Sequence, residues 1–255
     1  MGARIAAKPG AHKRDEWLDP RSAPRKLPAM TQLEQIRESL APHGLALRGG
    51  FQPGPEDAVP ALTGGRACGT ILLLGNLGGA LWPVFAESPE LADGAPHPLD
   101  RWTRRILESL APGFGATALF PFGGPPWLPF QRWAMKADSV TASPLGILIH
   151  PDFGLWHAYR GALAFADRLD LPQGVRRPSP CDSCIERPCL SGCPVGAFSP
   201  GGYDVAGCRG HVAGVRGTAC RGQGCLARLA CPIGREHAYP PAQMAFHMAA
   251  FLAGR

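Results

Sequence analysis

The sequence contains no apolar run of the roughly 18 to 20 residues that a membrane-spanning helix requires. Its first residues, MGARIAAKPGAHKRDEW, turn polar after a few small residues and so lack the apolar stretch of a secretory signal. Both absences predict a cytoplasmic protein that makes no membrane contact. Because the cytoplasm disfavours structural disulfides, the nine cysteines are better explained as metal ligands or reactive thiols.

Charged residues are also sparse, at 18% of 255 residues, whereas 45% of the residues are hydrophobic. This composition is sufficient for a packed core, and the length allows one large domain or two modest ones. Glycine (33) and proline (28) exceed their average usage. The sequence therefore predicts many loops and turns and little regular structure.

The net charge of +6 is concentrated at the start of the chain, because residues 1–29 hold seven Lys or Arg against three acidic residues. Their basic, proline-rich composition predicts a disordered tail. A solvated extension is the preferred interpretation, and a nucleic-acid-binding arm is the alternative. Met30 directly precedes the first helix start and is a second candidate for the start of translation.

Hydrophobic patterning predicts a mixed α+β domain over residues 59–172, preceded by an N-terminal helix and connection over residues 30–58. Thr31 and Glu34 form a capping-box pattern at the start of that helix. Further strands are predicted at 70–74, 115–122, 145–150 and 157–165, and further helices near 79–86, 99–110, 128–138 and 241–255. The short PDFG turn between the last two strands predicts an antiparallel hairpin.

Eight of the nine cysteines lie in a segment of little periodicity, within the predicted domain 173–240. They form two groups, each ending in Cys-Pro: Cys181, Cys184, Cys189 and Cys193, then Cys208, Cys220, Cys225 and Cys231. Zinc sites with four cysteines usually show paired C-x₂-C knuckles, and a single such pair occurs here. Iron–sulfur clusters are thus preferred, with zinc and disulfides as alternatives. Cys68, alone beside an apolar strand, is interpreted as a core thiol.

The two groups resemble those of bacterial two-cluster ferredoxins, although the spacings are wider here. In that family C-x₂-C-x₂-C-x₃-C-P occurs twice, and the fourth cysteine of each run binds the other cluster. The resemblance implies two [4Fe–4S] clusters: one held by Cys181, Cys184, Cys189 and Cys231, and the other by Cys193, Cys208, Cys220 and Cys225. Arginines in the segment offset part of the charge of about −2 on each cluster.

Residues 145–165, LGILIHPDFGLWHAYRGALAF, resemble the core motif of CblC-type cobalamin-processing proteins, I-H-P-x-F-G-x-W-x-A-x-R-G. The resemblance implies a nitroreductase-like α+β fold that binds cobalamin, with Arg160 in the place of an arginine that engages glutathione. The residues predicted to bind the cofactor are His150, Phe153, Trp156, His157 and Arg160. Phe153, Trp156 and Tyr159 offer flat apolar surface for a macrocycle or a flavin. Arg160 and His157 are suited to hold a phosphate, carboxylate or propionamide. The competing interpretation is that His150, Phe153 and Trp156 only support the turn.

The order of a cobalamin domain followed by a two-cluster segment also resembles epoxyqueuosine reductase and the respiratory reductive dehalogenases. The chain lacks the additional domains of the queuosine enzyme and a recognisable counterpart of its catalytic acid. Neither of those activities is therefore assigned to this protein.

These observations predict an iron–sulfur electron-transfer protein, a candidate oxidoreductase that delivers electrons to cobalamin or, less favoured, to a flavin. Its expected partners are a redox protein or a small reductant, and a corrinoid or thiol ligand. Two other functions stay open. One is a ferredoxin-type carrier without a substrate of its own, and the other is a cobalamin-trafficking chaperone whose clusters are structural.

Overall fold

The structure is a computed structural model that describes residues 30–174 and 176–254. The predicted disordered tail, residues 1–29, lies outside the described residues. Residues Gln32–Arg255 form one compact unit. Within it, residues 32–172, here called the sheet part, pack together with the cysteine-rich segment, residues 173–240. Within the described part of the chain, no helix combines the length and the apolar character needed to cross a membrane.

The chain alternates short helices and strands, separated by turns and 3-10 segments. The elements are α1 (Gln32–Leu40), β1 (Ala46–Phe51), β2 (Thr70–Leu77), α2 (Trp82–Ala86), α3 (Pro89–Ala92), α4 (Pro98–Leu110), β3 (Thr117–Leu119), α5 (Phe130–Ala137), β4 (Thr141–Ala142), β5 (Leu148–Ile149), β6 (His157–Phe165), α6 (Pro188–Ser191), β7 (Phe198–Ser199), β8 (Gly202–Tyr203), α7 (Val205–Ala213), α8 (Thr218–Gln223), α9 (Leu226–Ala230) and α10 (Pro241–Leu252). The predicted mixed α+β class is confirmed.

The central sheet has four antiparallel strands in the order β1-β2-β6-β3. Successive residues of β2 point to opposite faces. Ile71 and Leu73 pack into one core cluster, and Leu72 and Leu74 pack into the other. Both faces of β2 are therefore buried, which explains why its sequence is a continuous apolar run rather than an alternating one.

Helices cover both faces of the sheet. On one face, Ile36 of α1, Phe85 of α2 and Trp102 of α4 join the core. On the other face, Phe130 and Trp133 of α5 fill the second cluster. This layering places β6, and the motif that it carries, between two helical layers.

The predicted hairpin between 145–150 and 157–165 is wrong. β5 is two residues long and pairs with β4, while β6 lies in the central sheet between β2 and β3. Between them the chain closes a tight turn, in which His150 and Gly154 exchange backbone hydrogen bonds of 2.8 and 2.9 Å. Because the turn closes on itself, β5 and β6 separate into different sheets.

The turn at Gly154 touches the cysteine-rich segment backbone to backbone. Gly154 has φ 53°, and a Cβ built there would lie 1.9 Å from the Ile233 oxygen. On the opposite side, Gly234 has φ 65°, and its Cβ would lie 2.4 Å from the Phe153 carbonyl carbon. The motif glycine therefore allows the sheet part to meet the chain just after Cys231.

Replacing Gly154 by alanine is expected to destabilise the protein by about 3 kcal/mol, because a left-handed backbone and a steric clash act together. Gly146→Ala is the matched control, since Gly146 has φ 73° and open space around it. That variant is expected to lose only about 1 kcal/mol. Urea unfolding followed by tryptophan fluorescence measures both; equal losses would show that the contact with Ile233 contributes nothing.

A third apolar cluster joins the two parts of the chain. Leu145, Ile149 and Leu155 from the sheet part pack with Cys189 of α6 and Cys231, which directly follows α9. Cys189 and Cys231 thus lie at the boundary between the cysteine-rich segment and the sheet part.

Candidate functional site

Four cysteines surround a narrow space beside the sheet part. They are Cys181, Cys184, Cys189 and Cys231, here called the first set. Helix α6 carries Cys189 and packs against α9, whose C-terminal end leads directly into Cys231. This packing brings Cys231, which comes late in the sequence, close to the three earlier cysteines of the first set.

The other four cysteines line a separate cavity of about 190 Å³. They are Cys193, Cys208, Cys220 and Cys225, here called the second set. Cys208 lies on α7 and Cys220 on α8, and α10 packs against both helices. The two sets coincide with the ligand sets that the ferredoxin resemblance implies. That they bind clusters stays a prediction at this point.

Backbone amides point at several of these sulfurs. The Ala197 N–H donates a hydrogen bond to Cys193 Sγ at 3.3 Å. Cys225 Sγ accepts hydrogen bonds from the amides of Ala227 and Arg228. Amide donors stabilise a sulfur that carries negative charge, so this environment suits thiolates.

All nine cysteines are free thiols in this structure, so the disulfide interpretation gains no support. Burial raises the pKa values of Cys181, Cys189, Cys220 and Cys225. Buried thiols of this kind stay protonated at neutral pH unless a bound metal supplies positive charge. Cys68 lies apart, where it donates to the Thr70 oxygen at 3.3 Å. Among the described residues, no three His, Cys, Asp or Glu converge closely enough for a single metal ion.

A cavity of about 460 Å³ lies against β2 and β6, under α9 and α10. Its polar lining residues include Asn76, His157, Tyr159, Arg160, Arg228, Tyr239 and His247, and its apolar ones include Leu99 and Phe130. A second lobe of about 400 Å³ adjoins it and shares Leu99, Arg160 and His247. We call the two lobes together the cleft. Its size and mixed lining are typical of sites for organic cofactors.

Arg160 lies where the two lobes meet. Its Nη2 donates to Asp100 Oδ1 at 2.5 Å, and Thr103 Oγ1 lies at 3.4 Å. Its guanidinium also lies 5.5 Å from the ring centre of Phe122. Asp100, at the start of α4, therefore holds the arginine against the cleft and offsets part of its charge.

Two neutral histidines line the cleft. Burial, reinforced by nearby arginines, lowers the pKa of His157 to about 3 and that of His247 to about 4. The His157 Nε2 lies 3.1 Å from the Leu148 oxygen, so Nε2 carries the proton. Its Nδ1 is buried without a hydrogen-bond partner among the described residues. A ligand in the cleft would thus meet uncharged imidazole nitrogens.

The remaining predicted residues lie behind the cleft wall. His150 Nδ1 accepts the amides of Asp152 at 3.0 Å and Phe153 at 3.3 Å, which fixes the turn. The Phe153 ring lies 4.4 Å from that of His237. Trp156 is 2% exposed. Of the five predicted residues, the structure therefore brings His157 and Arg160 to the cleft and gives His150, Phe153 and Trp156 packing contacts.

A buried polar network supports the cleft from behind. Arg48 Nη2 and the Tyr159 hydroxyl both donate to Asp138 Oδ2, at 2.8 and 2.9 Å. The Arg48 guanidinium also lies 4.7 Å from the Tyr159 ring centre. Burial raises the pKa of Tyr159, so that its side chain presents a neutral ring to the cleft.

Sequence reasoning missed several residues of the cleft. Asn76 interrupts the apolar run of β2, and a buried amide in a strand is a signal that something bonds to it. Its Nδ2 donates to the Gly78 oxygen at 2.8 Å and to the Tyr239 hydroxyl at 3.2 Å. Tyr239 and His247 carry no comparable signal, because tertiary packing alone brings them to the sheet.

No family model and no curated protein matches the chain. A search of solved structures finds similarity to a CblC from C. elegans, described as a B12-trafficking protein and a homologue of human MMACHC. The identity is 14%, the TM-score is 0.43, and the alignment covers 84% of this chain and 88% of that one. Similarity at this level decides nothing about ligand or activity.

Proposed function

We propose that this protein is an iron–sulfur electron-transfer protein in which two [4Fe–4S] clusters serve a corrinoid or flavin bound in the cleft. The single observation that carries the proposal is the division of eight cysteines into two sets of four around separate spaces. Each set includes one cysteine from the other sequence group, the arrangement found in two-cluster ferredoxins.

The donor chemistry fits such clusters. Each of the four thiolates of a four-iron cluster binds a different iron atom. The four ligand sulfurs of a cluster therefore lie farther apart from one another than four sulfurs that bind a single zinc ion. The peptide N–H groups directed at Cys193 and Cys225 would stabilise negative charge on sulfur. The first set would hold one cluster and the second set the other.

The cleft fits an organic cofactor. Tyr159 and Phe130 offer flat apolar surface, and Arg160 and Arg228 offer positive charge. The buried atoms His157 Nδ1 and Arg228 Nε lack partners among the described residues, and a ligand would supply them. These residues would bind and orient the cofactor and restrict access of water. When bound, the clusters would supply single electrons, and the cofactor would supply the bond-making chemistry.

Two measurements on anaerobically reconstituted protein test the proposal. Iron and acid-labile sulfide are each expected at about eight atoms per chain, as two [4Fe–4S] clusters require. Zinc without sulfide would contradict the cluster assignment. Added cob(II)alamin is expected to change its absorption spectrum and to reoxidise the reduced clusters. If neither cobalamin nor FMN binds, the protein is a carrier without its own cofactor site.

Arg160→Met is expected to weaken cofactor binding about tenfold, because a charged hydrogen-bonding group leaves the junction of the two lobes. Arg104→Met is the matched control: the Arg104 guanidinium also lies near the Phe122 ring, at 5.7 Å, but outside the cleft lining. Equilibrium titration followed by absorbance measures both variants. Equal affinities for Arg160→Met and the unmodified protein would remove Arg160 from the site.

A further inference from the structure

Arg228 occupies a position between the two cysteine sets. It lies on α9, three residues after Cys225 of the second set and three before Cys231 of the first. Its own amide donates to Cys225 Sγ. The backbone of Arg228 is therefore linked to the second set independently of the orientation of its side chain.

The side chain of Arg228 reaches the sheet part. Its guanidinium lies against two rings that contact each other, 4.4 Å from the centre of Trp156 and 4.5 Å from that of Tyr239. Its Nη2 donates to the Leu155 oxygen. These contacts hold the charged group in one orientation at the wall of the cleft.

None of the described residues balances the charge of Arg228. Among the described residues it forms no ion pair, and its Nε is buried without a partner. The described residues that line the lobe facing Arg228 include no Asp or Glu. A half-buried cation whose Nε is fully buried and has no counter-charge nearby is unfavourable, so this site favours negative charge arriving from elsewhere.

We infer that Arg228 is a counter-ion shared by the cluster of the second set and the ligand of the cleft. This inference rests on the proposed function and adds a named residue through which the two centres interact. An electron taken from a reductant such as dithionite changes the cluster charge from about −2 to about −3, and no bond forms or breaks. Arg228 stabilises that added charge, and it does the same for an electron that reaches the cleft ligand.

Removing the positive charge of Arg228 should therefore make both the second-set cluster and the ligand of the cleft harder to reduce. Arg228→Met is expected to lower the reduction equilibrium constant of the second-set cluster about tenfold, which is a shift of 59 mV to more negative potential for one electron. The ligand of the cleft, cobalamin or FMN, is expected to shift in the same direction. EPR-monitored potentiometric titration of the reconstituted protein measures both.

Two variants serve as controls. Arg216→Met removes the same charge from an exposed position of the same segment and is expected to leave both potentials unchanged. Arg228→Lys keeps the positive charge and is expected to keep the potentials close to those of the unmodified protein. It also tests the inference if Arg228→Met fails to fold, because a tenfold effect of the lysine variant would overturn it.

The outcomes separate this inference from the proposed function. Two clusters in the unmodified protein, with unchanged potentials in Arg228→Met, would overturn the shared counter-ion and leave the clusters in place. Unmodified protein without iron and sulfide would overturn both. A shift in Arg216→Met as large as that in Arg228→Met would also overturn the inference, because it would show a general effect of net charge.

Discussion

Replacing Cys231 by alanine is expected to remove about half of the iron, and the cluster that is lost is that of Cys181, Cys184 and Cys189. The physical reason is the packing of α9 against α6, which brings Cys231 to the first set. A cluster with one missing thiolate has an exposed iron site and is readily lost. About four iron atoms per chain should remain, held by the second set.

Comparison of three variants identifies the lost cluster. Cys184→Ala, far away in sequence, is expected to leave the same residual EPR spectrum as Cys231→Ala. Cys225→Ala, only six residues before Cys231, is expected to leave the other spectrum. Cys68→Ala is the control, since this thiol lies outside both sets and its loss should leave the iron content unchanged. Identical residual spectra for Cys225→Ala and Cys231→Ala would contradict the account.

Acidification is expected to destabilise the fold, because the fold holds both histidines of the cleft in neutral form, His157 buried and His247 half-buried. The pKa values of His157 and His247 are lowered to about 3 and about 4, against about 6.5 in the unfolded chain. The unfolded chain therefore binds more protons than the folded chain below pH 6.5. Stability falls as the pH drops from 6.5 towards 4, by about 2 kcal/mol for each histidine at pH 5.

Urea unfolding at pH 7 and pH 5 measures this effect, and a variant isolates it from acid loss of the clusters. His247→Gln is expected to reduce the difference between the two pH values by about 2 kcal/mol. His43→Gln is the control, because His43 is partly exposed and its pKa is lowered less than that of a fully buried histidine. If His247→Gln and the unmodified protein lose the same stability, His247 is not held neutral by the fold.

The elements with strong periodicity could be predicted from the sequence. The apolar run at 70–74 became β2, and the amphipathic stretch at 99–110 became α4. The edge strand β1 was missed, because ALRGGF contains two glycines and a buried arginine, which interrupt the alternation of apolar and polar residues expected of a strand. The charge of the buried Arg48 is paired with Asp138, and no local pattern reveals such a distant partner.

The two parts of the candidate site, the cysteine sets and the cleft, could not be predicted from the sequence to the same extent. The cysteine sets could be predicted because the two Cys-Pro endings resemble those of two-cluster ferredoxins, and that resemblance implies the exchange of the fourth cysteine. The cleft does not follow, since Arg228, Tyr239 and His247 come from segments with no shared motif. The motif residues His150 and Gly154 proved to shape a turn, where a short loop meets the backbone near Ile233.

The central claim is the exchange of one cysteine between the two sequence groups, and the iron content of two double variants tests it most directly. Cys189→Ala with Cys193→Ala combines neighbours in sequence that belong to different sets, and Cys193→Ala with Cys208→Ala combines two members of the second set. The account predicts almost no iron in the first double variant and about four atoms per chain in the second. The reverse result, with about four atoms in the first and almost none in the second, would contradict it.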